Sequence, residues 1–466
     1  MVGAHLAFLP WALGTMHVWS QVVSCAFATL GFILALVPRT YTEEFASDGR
    51  SYRYIPSRRL FSFPGFWLGL AVLLYALIQA LNPAWTYATS GGNWWMEEKP
   101  HVAWLPTGVI APFADSNPWR SLLVWSSAWM LVCSMWIGIT RRASIRTLLV
   151  ALSLNATLLS LVGILQHVAG NGKILWFITP GTPYAVATFL YKNHAGAFFN
   201  LMLAAAIATA TLYYRRSERR LERASPAPLF ILCAATLALI VALSFSRAAT
   251  VLMLGFVLVS LTLALIYMFR SARRPNLLLV GLLTASLTIL GFISARQLRL
   301  EQAADKLQQL FTTDHAWSVQ SRQLSAQATW DMASDRLVTG WGAGCYRFLF
   351  PLFQKNYPQI YQPSWNADRT FHFEHAHNDY LEFLAELGLV GCAPLLLLLG
   401  LWMLKLGRSN LWQNPPLLVL MMGLLVLLVH CWMDFHLQCP AILLTACALA
   451  ALSGRWAELE SRRRPS

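Results

Sequence analysis

Charge is what this sequence has little of. Of its 466 residues only 12% are Asp, Glu, Lys or Arg, about half of the roughly 25% usual in soluble domains. That shortfall excludes an ordinary water-soluble domain. Cysteine pairing is also missing. Seven of the eight cysteines (Cys25, Cys133, Cys233, Cys392, Cys431, Cys439 and Cys447) lie in or beside apolar runs, where a thiol acts as a small hydrophobe. Only Cys345 sits in a long polar stretch, without an evident partner, so no disulfide framework is expected. No CxxC or Cys/His spacing points to zinc, and no two aspartates are separated by one residue to hold a metal for nucleotide-sugar chemistry. Gly170-Asn171-Gly172-Lys173 lacks both the spacing and the following Ser/Thr of a phosphate-binding loop. Nothing here calls for a metal, ATP or another cofactor. There is no solenoid repeat and no low-complexity tract. Met1 to Met16 holds no Lys or Arg, so the basic start of a secretory signal is not there.

What is present is apolar length. Hydrophobic residues make up 57% of the chain, gathered into runs of ~17 to 25 residues, the length that crosses ~30 Å of hydrocarbon. Eleven such runs lie at about 17–37, 62–80, 121–139, 146–168, 195–213, 228–246, 248–269, 276–294, 387–405, 416–432 and 437–453. A spanning segment must satisfy its backbone internally, and these runs are too long and uniform for barrel strands. The expected fold is all-α: a polytopic transmembrane helical bundle of about 11–12 spans, with one long, partly helical outer loop. We read 1–466 as a single integral membrane domain, with 296–376 as that large loop. Ala4–Leu13 is too short to span; it lies in the interface or packs as a half-helix beside the first span.

The formal charge of +14 is distributed as a topology signal. Arginines cluster in alternate loops: Arg50, Arg53, Arg58, Arg59; Arg141, Arg142, Arg146; Arg215, Arg216, Arg219, Arg220, Arg223; Arg270, Arg273, Arg274; then Lys405, Arg408 and Arg462, Arg463, Arg464. The positive-inside rule puts these loops in the cytoplasm and makes nucleic acid an unneeded partner. The loops near 81–120, 168–194, 247, 296–376 and 433–436 then face the cell exterior or periplasm.

The long outer loop carries order signals. Residues 297–311 and 318–334 read as polar helices. Gly340, Gly342 and Gly344 make a turn where backbone approaches a ligand or another helix. An aromatic tract follows: Trp341, Tyr346, Phe348, Phe350, Phe353, Tyr357, Tyr361, Trp365, Phe371 and Phe373. Those rings, like Trp85, Trp94, Trp95 and Trp104, form an interfacial belt or line a path for sugar or lipid.

Ionisable groups retained at a membrane boundary are costly, and are the first place to look for function. The densest set is Glu374 to Leu384, EHAHNDYLEFL. Unperturbed imidazole titrates near 6.5, so His377 is suited to take a hydroxyl proton; His375 and His377 could instead be a hydrogen-bonded structural pair. If a helix begins after Asn378, that side chain caps it, and Asp379, Glu382 and Glu386 share one face. Lys192-Asn193-His194, Arg247 and Arg322 also fall on the outer side. Arg247 stands alone between Leu229 and Phe269, either snorkelling to lipid headgroups or presenting its planar fork to a phosphate or carboxylate. His430 and Asp434 are four apart, facing each other if one helix turn holds both, with His436 beyond.

Several segments match a known pattern in order. HAHNDYLEFLAELGLVG (375–391) resembles the signature helix start of the bacterial O-antigen ligase and polysaccharide polymerase superfamily. FLYKNHAGAFFNLMLA (189–204), LSFSRAATVLMLG (243–255), SRQLSAQATWDMASDRLVTGWGAG (321–344) and VHCWMDFHLQCPAILL (429–444) are similar to its Asn-His, Ser-Arg, glycine-turn and closing His-Asp-Phe-Pro segments. The first third of the chain has no such match. The helical-repeat tail of many relatives has no counterpart before Ser466.

The resemblance implies an enzyme that moves a glycan en bloc from undecaprenyl pyrophosphate to an acceptor hydroxyl, at the periplasmic face of a bacterial inner membrane. On it, His377 would activate the acceptor and Arg247 and Arg322 would grip the pyrophosphate. Lys192, His194, His375, Asn378 and Asp379 complete the expected substrate-binding set, with no metal and no cofactor. The expected partners are the lipid-linked glycan donor, a glycan or lipid A core acceptor, membrane lipids, and polysaccharide-export or chain-length proteins. Whether the acceptor is lipid A core (ligase) or another lipid-linked repeat (polymerase) stays open. The rival from another class is a transporter or flippase of lipid-linked sugars, which would place charges near the bilayer midplane in pseudo-symmetric halves; here the polar groups favour one face and the halves look unlike.

Overall fold

The computed structural model describes residues 1–42, 51–181, 185–222, 224–270, 314–362, 370–409 and 411–461. Within them, helices stand where the apolar runs are. They are α1 (Val2–Trp11), α2 (Val18–Leu36), α3 (Pro56–Phe61), α4 (Pro64–Leu81), α5 (Pro118–Gly138), α6 (Arg142–Ala169), α7 (Lys192–Arg220), α8 (Ala227–Leu243) and α9 (Arg247–Arg270). After the outer segment come α10 (Asp314–Asp335), α11 (Asp379–Gly407), α12 (Pro415–Cys431) and α13 (Pro440–Ser461). Eight of these helices are long and apolar enough to cross a membrane, and α8 and α12 are apolar helices only slightly shorter. The protein is an all-α multi-pass membrane protein. The expected span 276–294, the expected helix 297–311, Trp365 and several loop arginines (Arg50, Arg223, Arg273, Arg274, Arg462, Arg463 and Arg464) lie outside the described residues.

Local chemistry sets the helix ends. Pro118 stands in the first turn of α5, and the Asn117 side chain accepts from Arg120 N at 3.0 Å, the N-cap arrangement that satisfies a free helix donor. Gly170 ends α6 with a left-handed φ of 66°, as C-terminal glycines commonly do. The short N-terminal segment is settled as a half-helix: Leu6 and Leu9 are buried, and α1 packs on α2 and α6.

The helix α7 is the axis of the bundle, buried along most of its length. Its inner faces are Ala195, Ala197, Ala204, Ala205, Ala206 and Ala208. Small residues let backbones approach where lipid offers no hydrophobic driving force between helices. A Cβ on Gly196 would fall 2.5 Å from Ala249 on α9, and Gly423 on α12 likewise faces Ala204.

Outside the bundle the structure adds what the helix-only reading does not anticipate. Between α4 and α5, β3 (Pro83–Ser90), β4 (Asn93–Glu98) and β5 (Gly108–Ile110) form a sheet in the order β4-β3-β5. Gly91 and Gly92, both at positive φ, make the tight turn that a two-residue hairpin loop demands. A second hairpin pairs β1 (Arg39–Thr42) with β2 (Ser51–Tyr54). Part of the aromatic tract takes a third course. Trp341, Tyr346, Phe348 and Phe350 are buried with Val109, Met332 and Ala385 in a core of their own. A folded cap above the bundle needs its own apolar interior, and large rings supply most area per residue.

One helix is broken. α11 runs from Asp379, but Gly388 within it has φ 62° and ψ −173°. A helix break inside a membrane protein exposes polar backbone that must find partners, and the glycine turn provides them. Trp341 N donates to Ala385 O and Gly342 N to Glu386 O, both at 2.9 Å; Leu389 N and Val390 N donate to Leu337 O and Val338 O. From α4, Gln79 Nε2 donates to Glu386 O at 3.0 Å and Tyr75 Oη to Thr339 O at 2.7 Å. The glycines at 340 to 344 thus approach another helix.

Candidate active site

The polar groups converge at the end of the bundle where α7, α9 and α11 begin and α12 turns into α13. Asn378 caps α11, its side chain accepting from Tyr380 N and Leu381 N at 3.1 Å. Just before it, His377 holds a left-handed backbone with φ 51°. Such a conformation in a residue with a Cβ costs energy and recurs at functional sites. It turns the imidazole toward the α12–α13 turn, where Nδ1 meets Asp434 Oδ1 at 2.9 Å.

Asp434 is the hub of the site. Its side chain is 2% exposed. Besides His377, its Oδ2 accepts from Asn193 Nδ2 and from Tyr191 Oη at 3.2 Å, and Arg322 Nη2 stands 3.8 Å away. Burial alone would raise its pKa. The hydrogen bond and charge of His377, with the charges of His436 and Arg322, outweigh it and hold the carboxyl well below the usual range. Lys192, one residue past Tyr191, lies within electrostatic reach of both Arg247 and Arg322. Arg247 is solvent-exposed at the start of α9. Arg322 thus joins the His377–Asp434 pair and links it to Lys192, which also feels Arg247.

Phe435 locks the surrounding rings. It stacks on His375 (centroids 4.4 Å apart) and on Tyr191 (5.3 Å), and meets His377 and His194 edge-on, both at 5.1 Å. His194 is fully buried with Nε2 3.2 Å from Phe435 O, which places it beneath the site. His375 Nδ1 contacts Glu382 Oε1 at 2.8 Å, and Ala376 N donates to Glu382 Oε2 at 2.8 Å. Burial works to lower the His375 pKa; the charge and hydrogen bond of Glu382, with Glu386 and Glu374, raise it overall. Asp379 is buried and its Oδ2 accepts from Leu437 N at 2.9 Å. Glu386 accepts from Tyr346 N at 3.1 Å. The acidic face of α11 thus anchors neighbouring backbone, and of the expected substrate-binding set Asn378 caps while Asp379 ties α11 to the last turn.

The sequence-based pairing of His430 with Asp434 needs correction. α12 ends at Cys431, so Asp434 leaves the helix and turns to His377. His430 packs instead against His436, ring centroids 3.8 Å apart. Burial, then the charge of His430, keeps the His436 pKa well below that of free imidazole. The partners of Asp434 and Phe435 come from 57 to 244 residues away along the chain, in separate elements, so which side chains they join is not written in their local sequence.

Comparison with known proteins bears on the same region. No curated protein gives a significant match to the chain. Residues 229–396 match the family model described as O-antigen ligase. That interval contains Arg247, Arg322, His375, His377, Asn378 and Asp379; Lys192, His194 and Asp434 fall outside it. This match, with the multi-pass helical bundle around it, supports membership of the O-antigen ligase and polymerase superfamily.

Proposed function

We propose that the protein transfers a glycan en bloc from undecaprenyl pyrophosphate to an acceptor sugar hydroxyl at the outer face of a bacterial inner membrane. The observation that carries this is one juxtaposition: an imidazole and a guanidinium on the same buried carboxylate, His377 at 2.9 Å and Arg322 at 3.8 Å from Asp434. With Nδ1–H donating to Asp434, Nε2 of His377 is left to accept the hydroxyl proton. The acceptor oxygen then bonds to the anomeric carbon as the bond to the pyrophosphate oxygen breaks. The electron pair leaves on the pyrophosphate, whose charge Arg247, Arg322 and Lys192 offset at a water-poor boundary. Charge neutralisation is assigned to these side chains without a metal, so transfer is expected to survive chelation by EDTA.

Direct displacement inverts the anomeric carbon. The alternative of a covalent glycosyl carboxylate is disfavoured by burial: Asp379 is 0% and Glu382 1% exposed, and both Glu382 oxygens are already bonded. Determining the product anomer tests this, and retention would sink direct attack. The acceptor is tested with purified protein and undecaprenyl-pyrophosphate glycan, with and without lipid A core. A ladder of repeats identifies a polymerase, a single addition to core a ligase. No transfer to either overturns the reading.

A further inference from the structure

Three helices, α4, α11 and α13, carry a second polar cluster at the ends away from the glycine turn and the His377 site. α4 runs from Pro64 to Gln79 beside the glycine turn, α11 from Asp379 to Lys405, and α13 from Pro440 to Glu458. At that far end lies a cavity of about 560 Å³, lined by residues including Arg58, Arg59, Ser62, Trp136, Lys405 and Glu458. Among the described residues Glu458 is the one acidic lining residue, and its carboxylate already receives Arg59 Nη2 at 2.6 Å, Lys405 Nζ at 3.2 Å and the buried Arg455 Nη1 at 2.7 Å. The Lys405 ammonium also stands 4.1 Å above the Trp136 ring, which stacks on Phe63. Exposed Arg58 stands at the rim. Among the described residues, three lining cations, Arg58, Arg59 and Lys405, stand against this one carboxylate.

We propose that this cavity binds the phosphate of an anionic phospholipid headgroup. Two features favour a lipid over a soluble phosphate with the same chemistry. The cavity opens where spanning helices end, the level at which headgroups lie and basic pockets between helices bind anionic lipid. Beside it, Phe61 and Trp67 are 56% and 53% exposed, the interfacial placement of aromatic rings. The guanidinium groups of Arg58 and Arg59 supply forked donors to a phosphodiester, and Ser62 adds a hydroxyl. The proposal does not depend on the glycan-transfer reading.

The test is native mass spectrometry of the full-length protein in detergent with phosphatidylglycerol or phosphatidylethanolamine, adding soluble glycerol phosphate as competitor. One phosphatidylglycerol should be retained preferentially. Arg58→Gln and Lys405→Gln should each weaken retention about fivefold, the effect of one cation near a membrane surface. Arg142→Gln, at the same end but outside the lining, should leave it unchanged. Because Arg58 is exposed, its variant should keep the native melting temperature. Equal retention of phosphatidylethanolamine, undiminished binding in Arg58→Gln, or an equal loss in Arg142→Gln would each overturn the site. Displacement by glycerol phosphate at matched concentration would overturn the lipid and assign a soluble anion.

Discussion

His377 and Asp434 are 57 residues apart in the chain, yet Nδ1 of one lies 2.9 Å from Oδ1 of the other. The carboxylate fixes the imidazole tautomer and would stabilise the imidazolium formed on proton transfer, as an aspartate does for histidine in other enzymes. Asp434→Asn keeps shape but removes that charge. The expected result is a loss of turnover of about 10²- to 10⁴-fold with little change in the acceptor KM. His377→Ala should stop transfer at normal protein abundance. Unaltered turnover in His377→Ala would remove this residue from the mechanism.

Arg247 has two readings, anion grip and snorkelling, and they part on a conservative change. A lysine keeps the charge but loses the planar fork. If the guanidinium holds a pyrophosphate, Arg247→Lys should cut kcat/KM for the donor by about tenfold or more. Near-normal kinetics would leave the arginine to the lipid headgroups.

Gly388 is the strained point of α11. An added Cβ would fall 2.5 Å from Gly340 N and Val338 O, in a backbone conformation that side chains avoid. Gly388→Ala should cost at least about 3 kcal/mol and lower both melting temperature and yield. A stable, active Gly388→Ala protein would mean that the break and its backbone ladder are not required.

The pH dependence of stability should separate two ionic contacts. His375 has a raised native pKa, so its contact with Glu382 contributes fully below the unfolded value near 6.5 and is lost as pH rises through the native value. Asp434 is shifted the other way; its contribution is present above the unfolded value near 3.9 and is lost only as acid reaches the native one. Melting curves of wild type and His375→Gln should therefore converge on the alkaline side. A gap that widens with rising pH would contradict the assignment.

The candidate site is legible in the chain unevenly. His377, Arg322, Arg247 and Lys192 stand out because charge in an apolar sequence is rare and the loop arginines sort the loops by side. Asn378 as a cap and Asp379, Glu382 and Glu386 on one face follow from helical period alone. The β3–β4–β5 sheet is not legible, because its tryptophans read equally as a membrane belt. The spacing of His430 and Asp434 suggests one helix turn, but the helix ends at Cys431, a boundary that hydropathy does not mark.

Apolar length and the scarcity of charge by themselves determined a helical membrane protein, because a backbone in hydrocarbon has few ways to satisfy its hydrogen bonds. Only the tertiary structure decided which carboxylate serves His377, that the glycine turn mends a broken helix, and that Phe435 holds four rings in place. These are contacts between distant segments. They depend on side-chain packing and on the exact ends of helices, which no local pattern in the chain encodes.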